Sequence, residues 1–474
     1  MTTIQSYDIH GIEFQKVEIQ CEISEGIGIH IVGISDEQVQ AALMTVATAL
    51  DAQGWHIPGK KIIIYVKAEK KIAKAENIHL PIALSMLAEA GFIKSDFKSD
   101  MLIAGQVDLV GNVHGVPGAY TALLYTIDNG GYEGAIFPCG LVQDCAALVD
   151  KIPVYDVKTI GEAISVLRSG RESGCLIQDR HAEYFAEKHD KGQPTKLAVH
   201  HSVMHALQAA VAGGFNIFLR GSNKYLVEQA LEVYRQLLVA RADYDTVAKI
   251  YSSIMVPIPK QGVPMRHPRA SASLPALLGG GPDANPGLVT LAHGGVMVIK
   301  EPEAWPKSNL EAVSEAQKRG EVTIRRLDRT VTYPSKMNLA LVAGDDITGE
   351  QYWNIIDTMH GINAVHITIP QDEHLMEIHD KALTAARENI AYARETGLGR
   401  YDKETSKASF ADLYPDEKTQ DIVLVTLEQM GEKPTKARDL LCLARTFADL
   451  DASPDIERQH VDLAARHIRF KLNP

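Results

Sequence analysis

Hydrophobic and polar residues alternate along the chain with two different periods, and these periods predict a mixed α/β protein. In the first third of the chain, alternating or continuous apolar runs predict strands, whereas apolar residues three to four positions apart predict helices. The predicted strands lie at 14–23, 27–34, 61–66, 101–109 and 154–156. The predicted helices lie at 35–52, 79–90, 140–149 and 159–167.

The pattern changes twice in the remainder of the chain. Residues 171–195 are mostly polar and are interpreted as a linker, which makes 1–170 the first domain. Between 196 and 370, predicted helices (203–212, 224–240, 308–319) alternate with short apolar strands (216–220, 295–299, 339–343). Such alternation is typical of a parallel sheet covered on both faces. Residues 371–474 show no strand pattern and are predicted to form a helical domain, with helices at 435–450 and 456–470.

Composition narrows the class of protein. The 474 residues are 45% hydrophobic and 23% charged, which is ordinary for a globular protein. Lys and Arg number 48 against 60 Asp and Glu, so the net charge is −12 and nucleic acid would have to bind a local basic patch. Five cysteines without a CxxC pair are typical of a reducing compartment, and no apolar run approaches a membrane span. We therefore expect a cytoplasmic protein with no membrane partner.

The turn after the predicted strand 216–220 is the candidate nucleotide site. A strand, a glycine and a helix form the arrangement in which backbone amides attract phosphate. Here the turn consists of Gly221, Ser222, Asn223 and Lys224. A P-loop has the pattern GxxxxGK[ST], so this turn lacks one glycine, is about three residues short and has Tyr225 at the hydroxyl position. We interpret it as a degenerate phosphate loop.

Four segments in the same order resemble one known family. They are VEIQCEISEGIGIHIVGISDEQV at 17–39, RHPRASASLPALLGGGPDANPGLVTLAHGGVMVIKE at 266–301, GEVTIRRLDRTVTYP at 320–334 and LARTFADL at 443–450. Together they are similar to the magnesium-chelatase-like AAA+ family, in its ComM/YifB branch. The resemblance extends over nearly the whole chain.

This resemblance implies a fold and a set of activities. The implied fold is an N-terminal α+β domain like that of Lon proteases and ribosomal protein S5, an AAA+ P-loop-type core with a parallel sheet, and a C-terminal helical lid. Members of the family assemble as hexameric rings and use ATP and Mg²⁺. The ComM-like members are linked to DNA branch migration, and the chelatases drive metal insertion.

Several residues that the family needs for ATP hydrolysis are replaced in this chain. Lys300 stands where the family has the Mg²⁺-binding Asp, and only the following Glu301 is retained. Asp346 replaces the sensor Asn, and Ile362 lies where an arginine finger is expected. The phosphate loop and the segment 197–200 before the first core helix also depart from the family pattern. Five departures together predict a pseudo-ATPase, with no catalytic residue and no cofactor.

Metal and peptidase sites are also predicted to be absent. The cysteine cluster of ComM-like proteins is replaced by residues 347–350, which offer no zinc-ligand pattern. The segments aligned with the peptidase Ser and Lys, at 74–79 and 118–121, have no matching nucleophile and base. The candidate DNA-binding residues are Arg325, Arg326 and Arg329, because they form a basic cluster on a predicted strand pair.

The resulting hypothesis is a ring-forming scaffold or regulatory subunit that has lost ATP hydrolysis and acts in DNA processing. Its expected partners are further copies of itself or an active paralogue, together with DNA. A first alternative retains ATP binding through Lys224, or forms a composite ring with the active paralogue. A second alternative is a protein-interaction module that binds no nucleotide.

Overall fold

The computed structural model describes most of the chain, in two compact units. The described residues are 3–57, 59–72, 74–93, 100–141, 145–180, 197–238, 243–259, 263–327, 329–359, 361–370, 374–413 and 416–469. Unit 1 comprises residues 1–190 with 248–258, and unit 2 comprises 191–247 with 259–474. The predicted linker lies partly outside the described residues, since 181–196 are among those left out.

Unit 1 is built on a seven-stranded mixed sheet with the order β3-β4-β2-β1-β5-β8-β9. Its strands are β1 (Thr3–His10), β2 (Glu13–Ser24), β3 (Gly28–Val32), β4 (Lys61–Ala68), β5 (Met101–Ile103), β8 (Gly134–Pro138) and β9 (Val154–Val157), and a small hairpin adds β6 (Gln106–Val107) and β7 (Val113–His114). β1 and β2 are antiparallel from Thr3↔Gln20 to His10↔Glu13, whereas β5, β8 and β9 run parallel to one another. The helices are Asp36–Ala52, His79–Glu89, Ala119–Asn129, Ala146–Val149 and Ile160–Ser169, with one further helix, Tyr244–Ser252, extending into this unit.

Most predicted elements of unit 1 are confirmed, but three strands (β1, β7 and β8) and a helix were missed. β1 lies in the interior of the sheet and buries Ser6 and Asp8 completely, so polar residues conceal its strand pattern. β8 and the helix Ala119–Asn129 were not predicted either. The prediction of one strand at 101–109 is wrong, since β5 and β6 are separate strands. The helix predicted at 140–149 covers only Ala146–Val149 among the described residues.

Unit 2 has a five-stranded parallel sheet with the order β12-β15-β18-β11-β19. The strands of this unit are β10 (Leu197–His200), β11 (Asn216–Arg220), β12 (Met265–Arg266), β13 (Gly279–Gly280), β14 (Asn285–Pro286), β15 (Val296–Lys300), β16 (Glu321–Arg325), β17 (Thr330–Pro334), β18 (Asn338–Ala343), β19 (Ala364–Thr368) and β20 (Leu375–Ile378). The helices beside them are His201–Gly213, Lys224–Leu237, Leu274–Leu278, Leu288–Leu291, Lys307–Arg319 and Gly349–Thr358. The central strands β15, β18 and β11 are buried except at the final residues Lys300 and Arg220, as expected of a sheet covered on both faces.

Two of the helices after β20 are joined by a buried ion network. The helices after β20 are Asp380–Tyr401, Phe410–Leu413, Glu417–Gln429, Ala437–Leu450 and Arg458–Ala465. The Asp449 carboxylate, which is almost wholly buried, accepts hydrogen bonds from Arg445 and Arg400 at 3.1 Å. Arg445 also donates to the backbone carbonyls of Ser453 and Pro454. The network therefore joins the first and fourth of these helices to the turn after the fourth.

Two predictions about unit 2 are corrected by the structure. The prediction that 371–474 contains no strand is wrong, because β20 pairs antiparallel with β10 from Leu197↔Ile378 to His200↔Leu375. β20 is short and three of its four residues are exposed, so it carries no burial pattern. The helix predicted at 224–240 ends at Leu237, and residues 239–242 lie outside the described part of the chain. Among the described helices, none combines the length and the apolar character needed to cross a lipid bilayer.

Candidate nucleotide site and basic hairpin

The candidate nucleotide site lies at the carboxyl edge of the parallel sheet of unit 2. β11, β15 and β18 run parallel, so residues 221–224, 300–301 and 344–346 follow their ends at the same edge. This edge is where ligands bind in open α/β sheets. The structure thus brings together the predicted loop, the Lys300 position and the sensor position.

The loop after β11 binds its own helix through Asn223. The Asn223 side-chain oxygen accepts hydrogen bonds from the amides of Tyr225 and Leu226, at 3.1 and 3.3 Å. This is ordinary N-capping of the helix Lys224–Leu237. The amides of Tyr225 and Leu226 therefore already have an acceptor, and the Lys224 side chain is exposed beside them.

The same loop is tied to the loop after β18. The Ser222 amide donates to the Asp345 carboxylate at 3.1 Å, and the Asp345 amide donates to the Ser222 hydroxyl at 3.3 Å. The Gly221 amide donates to the carbonyl of Ala343 at 3.1 Å. A Cβ added at Gly221 would lie 2.8 Å from the Cβ of Ile369, so the loop is packed closely on that side.

Lys300, at the end of β15, forms an ion pair with Glu228 on the helix Lys224–Leu237. The two groups are about half exposed, so water screens their interaction. Desolvation lowers the pKa of the neighbouring His267, and the Lys300 charge lowers it further. A cation and its partner thus stand where a metal-binding carboxylate would be needed.

Glu301 begins a short 3₁₀ turn with φ of 50°, and its side chain is exposed. Desolvation raises the pKa of nearby Glu303, and the charges of Glu301 and Asp346 also raise it. This edge of the sheet therefore carries several acidic groups at once. An approaching polyphosphate would be repelled by them.

The basic residues predicted to bind DNA lie on the hairpin formed by β16 and β17. Arg325 is directly opposite Thr330, and the Arg326 amide donates to the carbonyl of Arg329 at 2.8 Å, which closes the turn. The hydroxyl oxygens of Thr323 and Thr332 are 3.0 Å apart on the same exposed face as Arg325. The structure thus places the three arginines at the turn end of the hairpin formed by β16 and β17. This hairpin is not part of the five-stranded sheet that carries the candidate nucleotide site.

Sequence reasoning missed the roles of Asp345 and Glu228. Asp345 stands beside Asp346, which was assigned to the sensor position, and both follow β18 after Gly344. Asn223 directly precedes a helix, which is a recognisable N-cap signal and could have indicated that the helix amides are already bound. No sequence pattern pointed to Glu228, because its partner Lys300 lies far from it in sequence. Among the described residues, no cluster of His, Cys, Asp or Glu could hold a metal ion.

The parallel sheet and its central strand–loop–helix unit are consistent with the AAA+ class of α/β proteins. Two family models match the chain: "Magnesium chelatase, subunit ChlI" over residues 195–351, and "Subunit ChlI of Mg-chelatase" over 17–140. The chain belongs to the magnesium-chelatase-like ComM/YifB family, which confirms the resemblance found in the sequence.

Relatives match along almost the full length. The uncharacterized protein YifB of Escherichia coli is 24% identical over 505 residues, covering 96% of this chain and 95% of the relative. The competence protein ComM of Haemophilus influenzae is 23% identical over 487 residues, covering 95% and 94%. An uncharacterized protein of Mycobacterium tuberculosis is 26% identical over 350 residues, covering 71% of this chain and 68% of the relative.

Proposed function

We propose that this protein is a family member that has lost ATP hydrolysis and acts as a ring-forming scaffold or regulatory subunit in DNA processing. The observation that carries the proposal is the binding of the loop amides by Asn223 and Asp345. A P-loop needs such amides for phosphate, and at the metal position the Lys300 ammonium is already paired with the Glu228 carboxylate. The residues present therefore do not fit a magnesium nucleotide.

The proposal includes an assignment of the domains. The N-terminal domain, 1–170, is taken to have the fold of the Lon-type protease domain, without the peptidase residues. Residues 171–195 serve as the linker, 196–370 as the degenerate AAA+ core and 371–474 as the lid. The fold supports this only at the level of a mixed sheet in unit 1 and of helices after β20.

Two other functions differ from this proposal in whether the protein binds nucleotide and in which partners it binds. A composite ring with an active paralogue would place this subunit beside one that hydrolyses ATP. A pure interaction module would bind neither nucleotide nor DNA. The similarity to the competence protein ComM favours a role in DNA processing, because competence is the uptake of DNA.

The first prediction concerns nucleotide. We expect no ATP hydrolysis above background and no thermal shift with millimolar Mg-ATP, because the loop amides are already bound. A ligand at 100 times its Kd would stabilise the protein by about 2.7 kcal/mol, so differential scanning fluorimetry will detect binding. Lys224→Ala is compared with Lys381→Ala, which removes an exposed lysine elsewhere. A shift abolished only by Lys224→Ala would contradict the prediction and favour the composite ring.

The second prediction concerns DNA. If the hairpin binds DNA, replacement of Arg325, Arg326 and Arg329 by Ala should abolish retention of duplex DNA in a filter assay. Each phosphate contact contributes about −0.9 to the slope of log K against log salt, so wild-type binding should be steeply salt-dependent. Oligomer size, followed by light scattering, should stay unchanged.

The matched control for DNA binding removes the same charge from other surfaces. It is the triple Ala variant of Lys307, Arg319 and Arg458, which are exposed and pair with acidic residues four positions away on their own helices. This variant should retain DNA. If the wild type binds no DNA even at about 50 mM salt, the DNA role is wrong and the interaction-module function replaces it.

A further inference from the structure

Asp345 and Ser222 hold two strand ends together by a reciprocal pair of hydrogen bonds. The Ser222 amide donates to the Asp345 carboxylate at 3.1 Å, and the Asp345 amide donates to the Ser222 hydroxyl at 3.3 Å. The carboxylate thus sits on a loop amide just before a helix, as a phosphate oxygen does in a P-loop. We propose that Asp345 is an internal anion that closes this loop to phosphate and joins the ends of β11 and β18 without nucleotide.

Further contacts occupy the loop on both sides of Ser222. Asn223 accepts from the amides of Tyr225 and Leu226, and a Cβ added at Gly221 would lie only 2.8 Å from the Cβ of Ile369. The amide of Gly221 is bound to Ala343. The loop is therefore enclosed by its own contacts on both sides of Ser222.

Charge supports the same conclusion. The Lys300 ammonium, the cation at the end of β15, is paired with Glu228. Glu301, Glu303 and Asp346 add negative charge at the same edge, and their mutual repulsion contributes to the raised pKa of Glu303. The Asp345 carboxylate gains from the Ser222 amide, because a hydrogen bond to an ionised acceptor is stronger than one between neutral groups.

This inference deepens the proposed function and rests on it. In an ATPase the backbone amides of the loop after the first core strand bind the phosphates of the nucleotide. Here the equivalent contact is part of the chain, so the carboxyl edge keeps one arrangement whatever the nucleotide concentration. The Asp345–Ser222 pair is thus a permanent autoinhibitory contact.

The test is anion rescue in the full-length protein. Asp345→Ala should lower the melting temperature by several degrees, and millimolar pyrophosphate should restore at least half of the loss. Sodium chloride keeps the ionic strength constant, so that general salt effects cancel. Wild-type protein should respond to pyrophosphate no more than to the balancing salt, and isothermal titration should detect pyrophosphate binding only in Asp345→Ala.

Two further variants separate charge from shape. Asp346→Ala removes an exposed neighbouring carboxylate and should neither lower the melting temperature comparably nor create pyrophosphate binding. Asp345→Asn keeps an acceptor oxygen without the charge, so its melting temperature should fall between those of Asp345→Ala and the wild type. If Asp345→Ala does not fold, the Asn variant decides: a melting temperature equal to that of the wild type overturns the inference.

The remaining outcomes are also decisive. Equal pyrophosphate responses in the wild type and Asp345→Ala would show that the loop amides were already open. If Asp345→Ala is destabilised but does not respond to pyrophosphate, the Asp345 contact stabilises the fold without occupying an anion site. Either result overturns the inference without measuring ATP hydrolysis, whereas ATP hydrolysis by the wild type would overturn the proposed function itself.

Discussion

Asp449→Ala should lower the free energy of unfolding of unit 2 by about 3–5 kcal/mol, because it leaves buried arginine charge without its carboxylate. Arg445 and Asp449 are both almost completely buried, and Arg400 contacts the same carboxylate. After the substitution, Arg445 would retain only the neutral carbonyls of Ser453 and Pro454. The family motif LARTFADL contains both partners of the central pair.

The measurement uses tryptophan fluorescence during urea unfolding. In a Trp55→Phe background the remaining tryptophans, Trp305 and Trp353, both lie in unit 2. Asp462→Ala is the control, because its pair with Arg458 is exposed and should contribute less than about 1 kcal/mol. Equal losses in the two variants would show that the buried network does not stabilise these helices.

Stability should also fall as the pH drops below about 6.5, and His366 should account for about one proton of that dependence. Its side chain is deeply buried, with Nε2 2.9 Å from the hydroxyl of Tyr352, and burial lowers its pKa to about 3. Lys436 and His467 are the nearby positive or titratable groups that lower it further. Between the unfolded and folded pKa values, only the unfolded chain binds this proton.

Protonation of His366 therefore favours the unfolded state in acid. The folding constant should fall up to about tenfold per pH unit as the pH drops from 6.5 towards 3, and the stability is fully present above 6.5. His366→Gln should reduce this slope by one proton in urea titrations at several pH values. His374→Gln, at an exposed histidine, should leave the slope unchanged. The slope that remains in His366→Gln includes His205 and His467, whose pKa values burial also lowers.

The sequence predicted the core strands β11, β15 and β18 from their short apolar runs. Asn216–Arg220 was predicted with its exact bounds, because four of its five residues are buried. β19 was missed because buried His366 lies in the middle of AVHIT, and β1 because it buries Ser6 and Asp8. Hydrophobic periodicity cannot detect a buried polar residue whose hydrogen-bond partners come from distant parts of the chain.

At the candidate site, too, the sequence identified some residues but not their distant partners. Residues 221–224 were found from their position after a predicted strand, and Lys300 was found from the resemblance to the family. Their partners, Glu228 and Asp345, were not found, because each contact joins segments far apart in sequence. Gly287 lies in the segment 266–301 that resembles the family, directly after β14. A Cβ added there would lie 2.3 Å from the amide nitrogen of Gly279 in β13, so the pairing of β13 with β14 requires a glycine at this position.

The pairing of β10 with β20 joins the two ends of the five-stranded core. β10 precedes the first core helix, and β20 follows the last core strand, yet the two strands share one ladder. The chain therefore enters and leaves the core at two neighbouring, paired strands. A domain with adjacent ends can be inserted into another protein, or circularly permuted, without opening its central sheet.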